Sequence, residues 1–460
     1  MEIKEIIDEK RDANNIISDL KRKNNIPPAW ATKLQEQYEP TKHPVMTDRT
    51  YKDKVTRKGI ERMTRITLGW QKLAVKRMTE LMFAIPVQRI YKSTNDAEKQ
   101  VAEIMEAIFK RNRIDSVNIE RGRHLFASCE NVTLWYSQEQ DTDYAGNKSK
   151  LKLRCKNFSP MNGTSIYPLF DEYDDMVAIS FEYSRREDGR TINYFETYTD
   201  DTHIRWRSDG GHIEEELREP IELMKIPAIY TLRNEPIWED QSENVYEAEW
   251  TLSRNGNYIR KNARPNWVIF SDNNIKLGAE PGNDNAGRNV LQYGQNDKAQ
   301  YVTWQQAIES IKFHVEEIKR NFFMQLQLPD MSMDNMKATP MSGEARKMMF
   351  IDAQMKVTDE AGIWLEAFDR EINVVRVYMK KMFPQLATAI DTLQVEIVIT
   401  PYQIRDDAER INNLSNATGG KAIMSQRTAI ANLGYVEDVD RELEEIANES
   451  TIDLFREPTE

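Results

Sequence analysis

Asp171, Asp174 and Asp175, in the stretch LFDEYDD, are the side chains best placed for metal-assisted chemistry. Clustered carboxylate oxygens suit a hard divalent cation, and a nuclease uses such an ion to polarise a phosphodiester. The same residues also make ordinary solvated turns, because an Asp side chain accepts backbone N–H groups two residues on. The turn is the plainer reading, and a metal-dependent nuclease stays open as an alternative. The five histidines, His43, His124, His203, His212 and His314, are scattered, with no HExxH and no helical pair. Each reads as a surface or packed imidazole rather than a ligand. The motifs GxxxxGK[ST], GxGxxG and GxSxG are absent, so no phosphate cradle for nucleotide hydrolysis is expected. PGNDNAGRN looks like a calcium loop only superficially, since the bidentate Glu at EF-hand spacing is missing. The expectation is a protein without catalytic residues, metal or cofactor.

The elements that would position any site belong to a chain of 460 residues with net charge −12 and 40 % hydrophobic content. That describes a soluble, acidic α+β protein with ample material for a core. Phosphate neutralisation needs surplus Lys and Arg, so an acidic total argues against tight wrapping of DNA, though not against letting DNA slide past. No apolar run approaches the ~18 residues of a membrane span, and MEIKEIIDEKRD lacks the apolar centre of a signal peptide. No membrane partner is expected. Cys129 and Cys155 have no CxxC and read as small buried hydrophobes in a reducing compartment.

Periodicity divides the chain. Residues 1–24 are helical in pattern up to Asn24, Asn25, Pro27 and Pro28. Apolar residues at Ile60, Met63, Thr67, Trp70, Ala74 and Leu81 predict one helix from about Tyr51 to Phe83, its first half basic through Lys52, Lys54, Arg57, Lys58, Arg62 and Arg65. Helices are expected at 95–111 and 114–128. The period then becomes two in NVTLWYS, KLKLRCK, MVAISFEYS, TINYFETY and HIRWRS, an antiparallel unit of roughly 80 residues. A helix over about 240–263, brief strands in 265–302 and a helix over 303–328 follow.

That last helix carries one stripe of Trp304, Ala307, Ile308, Ile311, Val315, Ile318 and Phe322, with Phe313 on another side among Glu309, Glu317 and Arg320. Apolar groups on two sides call for two neighbours, one of them another subunit. Beyond the loop LPDMSMDNMKATP, a helix of roughly 40 residues and about 60 Å runs to Phe383, with the register Ala361, Trp364, Leu365, Phe368, Ile372, Val375, Met379 and Met382. Such length suggests an axle whose apolar face exceeds one subunit. A strand, LQVEIVIT, and three short helices around Gly419, Gly420 and Gly434 complete the chain, with Ser425 as an N-cap.

In this order, RNRIDSVNIERGRHLFASCENVTLWYS, FSPMNGTSIYPLFDEYDDMVAISFEY, MSGEARKMMF and IMSQRTAIANLGYVEDVDRELEEI resemble the portal family, the head-to-tail connectors of tailed double-stranded DNA bacteriophages. The resemblance spans about residues 55 to 450. It implies a portal-type ring subunit, with an α/β wing over 1–240 and 342–402, stem helices over 241–263 and 303–328, and a small β-containing clip over 264–302. A tunnel loop over 329–341 and a helical crown over 403–460 would complete it. It also implies a homo-oligomeric ring of about twelve copies at one capsid vertex of the virion, assembled in the host cytoplasm. Double-stranded DNA would pass through the channel during packaging and ejection. The major capsid protein, the terminase large subunit and then head-completion, adaptor and tail proteins would be the partners. Under this resemblance Lys337, Arg346 and Lys347 would touch DNA in the channel. Trp304, Ile308, Ile311, Phe313, Val315, Ile318 and Phe322 would pack the stem. A virion shell or tail-assembly protein without a channel is the other structural reading.

Overall fold

The computed structural model describes residues 3–22, 28–56, 59–262, 266–270, 298–302, 308–328, 350–402, 407–419, 422–436 and 439–453. The chain starts with helices α1 (Ile3–Ile6), α2 (Ala13–Arg22), α3 (Pro28–Tyr38) and α4 (Pro44–Thr47). The long helix expected from Tyr51 does not form. Strands β1 (Lys54–Thr56) and β2 (Gly59–Glu61) make a hairpin, residues 62–69 run without regular structure, and helix α5 covers only Trp70–Phe83. Two local causes are visible. Gly59 sits at φ +125°, which a helix does not allow and a side chain resists. Val55, Thr56, Ile60, Thr64, Ile66 and Thr67 are β-branched and favour extended backbone.

Strand β3 (Gln88–Lys92) and helices α6 (Asp96–Arg111) and α7 (Ile114–Ser128) follow, close to the expected bounds. The start of α6 is fixed from both sides. Asn95 Oδ1 accepts from Glu98 N at 2.9 Å, and the Glu98 carboxylate accepts from Thr94 N at 2.6 Å. Alternation then builds β4 (Glu130–Tyr144), β5 (Asn147–Phe158), β6 (Ser165–Phe170), β7 (Met176–Glu187), β8 (Arg190–Tyr198), β9 (Thr202–Asp209), β10 (His212–Pro220) and β11 (Ala228–Leu232). This unit is larger than the alternation suggests and is split. One antiparallel sheet has the order β11-β4-β5, the other β10-β9-β8-β7-β6. Val132, Leu134 and Phe158 of the first pack with Ile179 and Phe181 of the second; the other face of the five-stranded sheet buries Phe195 and Trp206 with Ile6, Ile16 and Leu20 of α1 and α2.

Helix α8 (Ser242–Asn262), paired strands β12 (Asn266–Phe270) and β13 (Lys298–Val302), and helix α9 (Ile308–Gln325) come next. Helix α10 (Ile351–Met382) has 32 described residues, about 48 Å at the usual rise. Helix α11 (Ala387–Thr392) leads to β14 (Gln394–Val398), which pairs antiparallel with β3. The axle expectation fails for α10, because Trp364, Phe368, Ile372, Val375 and Met379 are all buried inside the chain. The lower part of their stripe shares a core with Ile104, Met105 and Phe109 of α6 and with Trp135 of β4. Two partners appear that helical periodicity does not reveal, strand β4 and helix α6.

The chain divides into two units, residues 1–328 with 360–400, and residues 329–359 with 401–460. The second includes α12 (Asp407–Thr418), α13 (Gln426–Leu433) and α14 (Val439–Asp453). Ser425 caps α13, accepting from Thr428 N at 3.2 Å, as its position predicts. Among the described residues, no helix is long and apolar enough to cross a membrane.

Candidate functional site

Helices α8 and α9 cover the two segments expected as stem helices, and α9 carries the described ones among the expected site residues. The helices pack side by side, with Glu247 of α8 3.5 Å from His314 of α9 and Gln241 Nε2 donating to Gln325 Oε1. Val245 and Ala248 of α8 and Ile318 and Phe322 of α9 are buried. At the C-terminal end of α9, Phe322 lies 5.5 Å from the Trp70 ring, and the Arg77 guanidinium sits 4.4 Å above Phe323.

On another side of α8, residues 62–69 form an extended strap. Its backbone N–H groups at Thr64, Ile66 and Leu68 donate to Asn257 Oδ1 (2.8 Å), Ser253 Oγ (2.8 Å) and Glu249 Oε1 (2.6 Å). Two residues of strand rise about 6.6 Å and four residues of helix about 6 Å, so alternate donors meet acceptors one turn apart. Gly256 permits the approach, since a Cβ there would stand 2.8 Å from Thr64 Cγ2. Arg260 adds donors to the Arg62 carbonyl (2.5 Å) and Thr64 Oγ1 (2.6 Å). Thus a side-chain ladder replaces a second strand in satisfying this backbone.

Glu249 is fully buried and its Oε1 also meets His43 Nδ1 at 2.7 Å. His43 Nε2 is 2.8 Å from the Gln37 carbonyl, an acceptor only, so Nε2 carries hydrogen. The imidazole therefore ties α4's entry to the strap and to α8.

The predicted stem residues divide. Ile318 and Phe322 are buried, Ile311 and Val315 half-buried, and Phe313 is 66 % exposed. Ile308 opens α9, but nothing of its side chain is described; Trp304 lies outside the described residues, as do Lys337, Arg346 and Lys347. Asp171, Asp174 and Asp175 form a turn between β6 and β7. Asp171 Oδ1 accepts from Tyr173 N (2.8 Å) and Asp175 N (2.9 Å), while Asp174 takes positive φ. Among the described residues, no group of three or more His, Cys, Asp or Glu is arranged to hold a metal ion. Cys129 and Cys155 are free, and burial pushes their thiols up to about 12 and about 11, which makes them poor nucleophiles. His43, His124 and His203 are buried.

The strap itself escaped sequence reading. Its only signal was the β-branched run that starts at Val55, opposed by an apolar spacing compatible with helix.

Residues 30–452 match the family described as "Phage portal protein, SPP1 Gp6-like". No curated protein matches the chain. Among solved structures, a chain from the neck of an empty GTA particle computed with C6 symmetry is 12 % identical, with a TM-score of 0.41, covering 79 % of this chain and 89 % of that one. A chain from the virion of a native gene transfer agent (GTA) particle is also 12 % identical, with a TM-score of 0.41 and coverage of 91 % and 98 %. At that level of likeness, the family match alone carries the assignment.

Proposed function

The chain belongs to the phage portal protein family, SPP1 Gp6-like, and from that premise we propose that it is the subunit of a ring channel for genomic double-stranded DNA at one capsid vertex. The family match over residues 30–452 carries this reading, because it includes both α8 and α9 and the segment between α9 and α10. In this reading α8 and α9 are the stem, residues 264–302 the clip, 329–341 the tunnel loop and 403–460 the crown. The terminase large subunit docks at the clip and drives DNA inward; adaptor and tail proteins take its place afterwards. The major capsid protein surrounds the ring. The subunit does no bond-breaking chemistry here, and its work is to hold a hole of fixed shape.

The acidic total, −12 per subunit, favours a channel that does not retain DNA. Lys337, Arg346 and Lys347 supply transient phosphate contacts. The exposed ring of Phe313 supports a second copy beside α9. Electron microscopy of the purified protein along its symmetry axis tests the reading: a closed ring with a central hole of duplex width is expected. Particles with no hole would favour a shell protein, and only monomers at micromolar concentration would remove the ring. Lys337→Glu should leave ring formation unchanged and lower DNA retention; full genomes at unchanged yield would remove the tunnel-loop assignment.

A further inference from the structure

The β1–β2 hairpin is built to project rather than to fill a core. Its three residue pairs form a sheet of their own, and the cross-strand partners Val55 and Ile60 share one face. They are 86 % and 68 % exposed. A hairpin this short has little stability alone. Its base is nevertheless fixed to α8. Tyr51 Oη donates to the Thr64 carbonyl at 3.0 Å, and its ring meets Trp250 edge-on at 5.1 Å. Asp53 Oδ1 accepts from Met63 N at 2.8 Å and from Arg65 at 3.2 Å. A firmly held base with an apolar pair in solvent marks a contact surface.

The second unpartnered patch lies on α9, on the side that α8 leaves uncovered. Phe313 is 66 % and Met324 60 % exposed. Around Phe313, Lys312 is neutralised by Glu316 at 3.9 Å and Arg320 by Glu317 at 3.4 Å, while Glu309 stands one turn before it. The hairpin leans the other way: Lys52, Lys54 and Arg62 are exposed against one carboxylate, Glu61, which stands across from Lys54, while Asp53 is engaged by Arg65. Helix α8 lies between the two patches, turning Glu249, Ser253 and Asn257 to the strap and Glu247 to α9.

A closed ring of more than two copies needs a heterologous contact, in which two different patches of one subunit meet the complementary patches of its neighbours. We infer that the β1–β2 hairpin of one copy seats on the exposed face of α9 in the next copy, Val55 and Ile60 against Phe313. Arg62, two positions after Ile60, then lies on the side turned to Glu309. This inference rests on the ring reading above and names the contact that closes the ring.

Thiol crosslinking of the full chain tests it, with native mass spectrometry of the unmodified protein run first. The double variant Ile60→Cys/Phe313→Cys should give a ladder of covalent oligomers with a short bifunctional maleimide. Mixed single variants should stop at dimers, and each single variant alone should give none beyond the unmodified protein. Crosslinking of Ile60→Cys alone would show hairpin meeting hairpin and overturn the contact. A native ring without a ladder overturns the contact and leaves the ring standing, whereas a native monomer overturns both. Val55→Asp/Ile60→Asp should raise the concentration for half-assembly at least tenfold with an unchanged circular dichroism spectrum. If that variant assembles normally but retains less DNA, the hairpin faces nucleic acid and the inference falls.

Discussion

Helices α9 and α10 carry apolar stripes of the same period, yet they meet different surroundings. In α10, Trp364 is 1 %, Phe368 2 % and Val375 0 % exposed, and in the same helix Glu371 is buried at 2 %. Glu371 is satisfied within the chain. Arg121 of α7 donates to both of its oxygens, at 2.5 and 3.2 Å, and Trp135 Nε1 of β4 donates at 2.9 Å. In α9, Phe322 is fully buried, but Phe313, nine positions earlier, is 66 % exposed and its charged neighbours face solvent. A stripe says which face must be covered. Only the polar groups beside it say by whom: α10 finds both apolar cover and donors in its own chain, and α9 finds them along part of its length.

The sharpest way to break this comparison is to remove the polar anchor of α10. Glu371→Ala leaves Trp135 Nε1 without its acceptor and the buried Arg121 guanidinium with only Asn118 Oδ1, and should cost about 3–5 kcal/mol in urea unfolding. Arg121→Met with Glu371→Leu should recover much of that loss, because two apolar groups of similar size leave no buried charge. A loss below about 1 kcal/mol for Glu371→Ala would mean that water reaches the site.

The strap on α8 belongs to the self-sufficient side and can be loosened selectively. Gly256→Ala gains roughly 1 kcal/mol of helix propensity. It also places Cβ 2.8 Å from Thr64 Cγ2, and two bonded segments cannot easily part. The clash should outweigh the propensity gain, for a net loss of about 1–2 kcal/mol. Thr64→Ser removes the offending methyl, so Gly256→Ala/Thr64→Ser should be more stable than Gly256→Ala alone. Additivity of the two changes in a double-mutant cycle would count against the close approach.

Much of this was legible in the sequence, for reasons that differ by region. The stripe from Trp364 to Met379 fixed the period of α10, and alternation in β4, β5, β7, β8 and β9 marked the sheets. Strand β10, HIEEELREP, hides its alternation because Glu and Arg occupy most of its positions. The region from Tyr51 to Gly69 misleads because Ile60, Met63, Thr67 and Trp70 happen to fall near helical spacing. What decides its conformation is a set of acceptors on Glu249, Ser253 and Asn257, over 180 positions away. No local pattern encodes that. The position of Phe313 away from the apolar stripe was readable, and its ring is exposed, while Lys337, Arg346 and Lys347 lie outside the described residues.

A smaller effect sharpens the core side of the comparison. Glu130 is buried between β4 and β11, and burial raises its carboxyl to about 7 although the Tyr230 hydroxyl donates to it at 2.8 Å. Its folded-state value is above its unfolded one, so the proton is bound more tightly in the folded chain. The stability this contributes is complete below about 4.5 and is lost as pH rises through about 7. Glu130→Gln keeps the shape without the charge. It should therefore stabilise the chain by about 1–3 kcal/mol at pH 8 and do little at pH 4. Equal effects at both pH values, read from urea midpoints, would show that the carboxyl is not the titrating group.

The smallest effect on the isolated subunit should come from α9 itself. Truncating Phe322 to Ala removes a ring enclosed by Trp70 and Phe323 and should cost about 3–5 kcal/mol. Phe313→Ala removes the same atoms from the same helix, but most of that ring is in water, and Ala is the better helix former. The expected change in monomer stability is within about 0.5 kcal/mol in either direction. Under the proposed contact between copies, oligomerisation would then be lost without a loss of fold. If Phe313→Ala destabilises the monomer as much as Phe322→Ala does, the outer face of α9 is covered within its own chain. The distinction between the two helices would then disappear.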